Sequence, residues 1–199
     1  MWWAFCMSKK QNYHYLKYYW LEKYLETEVF GDFHTKHHLT PEQFFSIIIW
    51  KRNASKTSIK RKLLDGKPIT TLSKTIEEIT HSIYKAPSKE EKLRCLLKVG
   101  GIDLAIASAV LTILYPTEFS VYDFRVREEI HGYKDITPLP IEAKIKKYLD
   151  EYIPSVRKSA HLSLRDCDRA LWGKSWHEDL QKFVKSVDKP GRKNLEKYL

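Results

Sequence analysis

The feature that constrains this chain most is a reversal completed in two residues. Across Leu96–Ala109, LLKVGGIDLAIASA, one apolar helical run stops at Gly100 and Gly101 and another starts at once. Glycine lacks a Cβ, so it allows a tight turn between helices at low steric cost. The small side chains of Ala105, Ala107, Ser108 and Ala109 let the two helices approach closely. The amides that open the second helix have no intrahelical acceptors, and the helix dipole adds partial positive charge there. Such a start suits a phosphate.

The remaining chain reads as helix after helix. Tyr15 to Phe30 is aromatic-rich at helical spacing, and Gly31 with Asp32 is expected to end it. Thr40-Pro41-Glu42-Gln43 combines an N-cap, a first-position proline and a capping-box glutamine, opening a helix through FFSIIIWK. A short basic helix spans Ser58 to Leu64, closed by Asp65-Gly66. Ile76, Ile79 and Ile83 line one face of a helix from Leu72 to Tyr84. Ser88 and Glu91 mark a second capping box, whose helix reaches Lys98 or Val99. Pro116 ends the apolar helix after the glycines, and Val121 to Ile130 forms the next, closed by His131-Gly132. Pro140 to Tyr152, Ser163 to Trp172 and Trp176 to Val187 supply the last three. Only FSVY has strand character, too little for a sheet, so the fold class is all-α.

Net charge is +10 with a pI near 9.3, a sign that points to nucleic acid as partner. The run Lys51 to Lys62, KRNASKTSIKRK, carries no acid and follows Trp50 directly. It reads as a solvated face or as a phosphate-tracking one. Three cysteines, Cys6, Cys95 and Cys167, are too few for a cluster held by four thiolates and fit a reducing cytoplasm. The apolar start MWWAFCM is too short to span a bilayer and has no basic segment before it, so the expectation is a cytoplasmic protein. His34, His37 and His38 lack a carboxylate or thiol at ligand spacing and read as a loop of solvated histidines, so no side-chain metal site is expected. Asp166 and Asp168 read as capping or ion-pairing groups. The aromatics crowded into the first 50 positions are mainly core, with Trp50 a candidate for stacking a flat base.

The segment from Leu93 to Ile130 resembles the helix-hairpin-helix DNA glycosylase superfamily, in particular its 8-oxoguanine and adenine glycosylase-like members. Val99-Gly100-Gly101-Ile102-Asp103 occupies the hairpin pattern, with Asp103 standing where the family has its second glycine. Ala107 occupies the family's fixed alanine. SAVLTILYPTEFSVY then separates it from Asp123, at the spacing of the family's catalytic aspartate.

The resemblance implies a two-lobed fold: a central lobe over about 40–118, a second built from 1–39 plus 119–199, and a cleft between them. It implies a monomer that flips a damaged or modified base out of double-stranded DNA and hydrolyses its N-glycosidic bond, with Asp123 as the catalytic carboxylate. Lys98, Gly100, Gly101 and Ile102 of the hairpin, with Lys51, Arg52, Arg125 and Arg127, would hold DNA. Arg127, one turn beyond Asp123, would pair with it or meet a phosphate. Trp50 and Trp172 are base-pocket candidates. Carbonyls of Val99 and Gly101 would bind a sodium or potassium ion, and no iron–sulfur cluster is expected, because only Cys167 lies in that region. Ala105 stands where bifunctional members carry their lysine, so no lyase step is expected. The alternatives are a hairpin DNA-binding protein without chemistry, and a basic helical protein that binds RNA or protein.

Overall fold

The computed structural model describes residues 17–130, 132–157 and 162–187. The MWWAFCMSKK start, Tyr15, Cys6 and His131 lie outside them. Every regular element among the described residues is helical. None of these helices is long and apolar enough to cross a membrane.

Residues 17–19 are helical, and after a turn at Trp20 come α1 (Leu21–Tyr24), a π-helical turn (Leu25–Val29) and α2 (Phe30–Lys36). Gly31 and Asp32 do not stop it. α2 runs through both and ends at His37, whose φ of 65° is left-handed. Asp32 is tied to Lys36 at 2.9 Å and to Gln43 at 2.7 Å, and the same helix fully buries Phe33. These contacts exceed the roughly 1 kcal/mol that a helical glycine costs. Of the expected loop histidines, His37 and His38 do lie in a bend beyond the helix, whereas His34 is an exposed helical residue. His34 lies on α2 with Nε2 2.8 Å from the Leu114 carbonyl, and His37 stacks on Tyr84 at 3.8 Å. Among the described residues no three His, Cys, Asp or Glu side chains converge as a metal site.

α3 (Pro41–Arg52) starts with the full reciprocal capping box of Thr40 and Gln43. α4 (Lys56–Leu64) ends at left-handed Asp65. α5 (Leu72–Lys85) buries Ile76 and Ile83, and α6 (Lys89–Leu97) is capped by the Ser88 hydroxyl. After the glycines, α7 (Leu104–Leu114) buries every residue except Ala105. A helix apolar on all sides is stable only when neighbours cover it completely. α3 packs on α7 most extensively, with α6 and α2 also against it.

Gly101 makes the reversal, at φ 90°. An added Cβ there would lie 2.7 Å from Lys62 Cδ, which a flexible side chain can yield, but the backbone strain remains. Gly101→Ala is therefore expected to cost about 1–2 kcal/mol. Urea denaturation checks this; an unchanged midpoint would mean the turn is not strained.

Beyond α7 the structure departs from the expected helix at Val121. Residues 119–123 belong to no helix or strand, Asp123 itself being extended at φ −123° and ψ 143°, and α8 is only Phe124–Glu128. α9 (Ile141–Lys147) leads through a second π-helical turn (Tyr148–Tyr152) into α10 (Ile153–Val156). The two helices expected at the C-terminal end are one, α11 (Leu164–Val187), continuous through Gly173. α11 packs along α8, and Lys174, next to that glycine, pairs with Glu129 at 2.6 Å. These contacts keep the helix continuous across the glycine.

Candidate active site

Asp123 sits at the end of the 119–123 segment; the Phe119 amide turns back to the Tyr115 carbonyl at 3.1 Å, and the amides from Ser120 to Asp123 are held by side chains. The Tyr148 hydroxyl donates to the Ser120 carbonyl and accepts from the Ser120 amide at 3.3 Å. The Tyr152 hydroxyl donates to the Val121 carbonyl at 2.7 Å and accepts the Asp123 amide at 3.5 Å. Asp168 Oδ2 accepts the Val121 amide at 3.3 Å, and Ser108 Oγ accepts the Tyr122 amide at 2.8 Å. Buried backbone polar groups must find partners, and here no neighbouring strand supplies them. Burial pushes both phenols well up from their ordinary value, so they stay protonated and keep donating. Tyr152→Phe removes the hydroxyl that serves both Val121 and Asp123. The expected loss is about 1–3 kcal/mol, read as a lowered urea midpoint.

The Asp123 carboxylate has both oxygens engaged. Oδ1 accepts the Arg125 amide at 2.9 Å, capping α8, and Oδ2 pairs with the Lys51 ammonium. Both side chains of this pair are largely buried, 15% exposed for Asp123 and 10% for Lys51. Lys51 comes from the last turn of α3, between Trp50 and Arg52. Arg52 in turn binds Asp103 Oδ2 at 2.8 Å. Asp103 meanwhile caps α7, its Oδ1 accepting the Ile106 amide at 3.0 Å. One helical turn of α3 thus grips both the hairpin and Asp123.

A cavity of about 440 Å³ opens over this pair, lined by Trp50, Lys51, Asp123, Arg125 and Trp172 among others. That volume is in the range of small-molecule sites. These five residues, separated in sequence by up to about 120 positions, meet in one place. Trp172 is 43% exposed at its rim. The other sequence candidates do not line the cavity. Lys98, Gly100 and Gly101 are exposed on the hairpin, and Ile102 is buried beneath it. The Val99 carbonyl accepts the Ile102 amide at 3.1 Å, closing the turn. Arg127 does not pair with Asp123; it turns to Asp135 at 2.5 Å and the Tyr122 hydroxyl at 3.4 Å.

Sequence reasoning missed the wall opposite Lys51. Arg165 is nearly buried and binds Asp168 at 2.7 Å, Glu26 at 3.0 Å and Glu22 at 2.5 Å, with its guanidinium 5.2 Å from the Trp50 ring centroid. Arg169 joins Glu22 at 2.9 Å and Glu26 at 2.6 Å. Burial pushes the Asp168 carboxyl up, against the pull of Arg165. The only signal for this cluster was the spacing of Arg165, Asp168 and Arg169 along one helix face, because its partners Glu22 and Glu26 lie at the far end of the chain.

No protein-family model, no curated protein and no solved structure matches the chain.

Proposed function

We propose that this protein is a DNA N-glycosylase without a lyase step, acting on a modified base flipped out of double-stranded DNA. One observation carries the reading: Asp123, the residue at the catalytic spacing from the hairpin, lies at a base-sized cavity bordered by Trp50 and Trp172. Breaking an N-glycosidic bond builds positive charge on the deoxyribose. A carboxylate held at that point stabilises the charge and orients the attacking water. The suspended backbone at 120–123 supports this role, since it leaves Asp123 little freedom to shift.

In this reading Lys51 occupies the oxygen that the sugar cation needs, and it moves to a backbone phosphate as DNA enters. The exposed hairpin, Lys98, Arg52 and Arg127 track the flanking phosphates, with a monovalent cation at Val99 and Gly101, while Arg125 meets the flipped base in the cavity. Ala105 offers no amine for a covalent intermediate. The central lobe over about 40–118 faces the second lobe across the cleft that receives the base.

The test is release of free base from duplexes that each carry one modified base, together with affinity measured across salt concentration. Release of at least one base is expected, with affinity falling steeply as salt rises. Release of none, over a broad panel, would sink the enzyme reading. A second reading, DNA binding without chemistry, is favoured by the occupation of both Asp123 oxygens by the protein's own donors. Salt-sensitive binding without release would select it.

A further inference from the structure

We infer that the Asp123 cavity accepts a neutral base bearing carbonyl oxygens and rejects a cationic, N-alkylated one; this rests on the cavity being the base pocket. A cationic base gains its affinity from two sources, aromatic faces and uncommitted carboxylates. This cavity withholds both. The Trp50 ring already carries the Arg165 guanidinium at 5.2 Å, and the Trp172 ring carries that of Arg125 at 5.8 Å. The lining carboxylates are Glu22, Asp123 and Asp168, and each is tied to a cation: Glu22 to Arg165 and Arg169, Asp123 to Lys51, Asp168 to Arg165. Four cationic side chains line the same space, Lys51, Arg125, Arg165 and Arg169. Over the lining side chains four positive charges face three negative ones, and a further cation finds no carboxylate without a partner.

A neutral base meets the opposite conditions. Guanidinium planes stack on neutral nucleobases, and their N–H groups donate to acceptors. Arg, Lys and indole N–H groups offer donors only, so a base edge with carbonyl oxygens is matched and an edge of amines is not. Arg125 is the adjustable element, since its ion-pair partner Asp179, at 2.7 Å, is half-exposed and its bond to Ser175 Oγ is long at 3.4 Å.

An isosteric pair of nucleosides tests the charge directly. 1-Methyladenosine is a cation at neutral pH, and 1-methylinosine has the same shape with a carbonyl in place of the charged amidine. Both are titrated into the full chain, with binding read from tryptophan fluorescence. 1-Methylinosine is expected to bind at least about tenfold more tightly. Arg125→Gln, which removes one of the guanidiniums, is expected to narrow the ratio. Equal affinities, tighter binding of 1-methyladenosine, or no binding of either overturns the inference. Discrimination between the nucleosides with no base released from any duplex would sink the enzyme reading and leave the charge preference standing.

Discussion

Asp123→Asn is expected to lower base release from modified duplex DNA by at least about 10²–10³-fold, while the fold and DNA affinity are kept. The substitution leaves the shape of the side chain and deletes its charge. Asparagine caps helices as well as aspartate does, so the Arg125 amide keeps its acceptor and α8 keeps its start. What disappears is the negative charge that would face a developing sugar cation. Lys51 loses its ion-pair partner, and its freed charge favours a phosphate, so DNA affinity should hold or rise. Single-turnover base release, measured beside a thermal melt and a binding titration, separates these effects. A variant retaining a tenth or more of the wild-type rate would remove Asp123 from the chemistry.

Arg165→Ala should produce the largest loss of stability, about 3–5 kcal/mol. Arg165 is 11% exposed and is the charged partner of Asp168, which is 3% exposed. Removing one member of a buried pair leaves the other desolvated and uncompensated. It also weakens the tie between α11 and Glu22 and Glu26, leaving Arg169 alone to hold it. For a chain of this size the melting temperature should fall by about 6–20 °C. The deficit should depend on pH in a definite direction. Burial raises the Asp168 pKa above the ordinary carboxylate value in the folded state, and loss of Arg165 raises it further. A raised folded-state pKa gives stability that is present below the unfolded value and lost as pH rises. The difference between variant and wild type should therefore shrink on acidification toward the unfolded value. A pH-independent difference of under about 1 kcal/mol would place the strength of this contact elsewhere.

Local signals were legible in proportion to how local their physics is. The capping residues Thr40, Ser88 and Asp65 act within one turn of their own position, and each ends or starts a helix where its chemistry predicts. The apolar run after Gly101 could only be a buried helix, and α7 is one. Errors arose where distant contacts outweighed a weak local preference. Gly31 and Gly173 are poor helix formers, yet neighbours from other helices carry α2 and α11 through them. Residues 121–123 have helix-compatible side chains but are drawn out by hydroxyl and carboxylate partners from α7, α11 and the turn at Tyr148–Tyr152.

The same division holds for the candidate site. The sequence alone determined the helical class of the described residues, the glycine reversal, and the distance along the chain from Ala107 to Asp123, because each depends on residues near one another along the chain. Tertiary structure decided that Lys51 meets Asp123, that Arg52 meets Asp103, and that Trp50 and Trp172 border one cavity. It also brought Arg165 and Arg169 to Glu22 and Glu26. Those pairings depend on how whole helices pack, and packing is set by the summed burial of many side chains that no short segment contains.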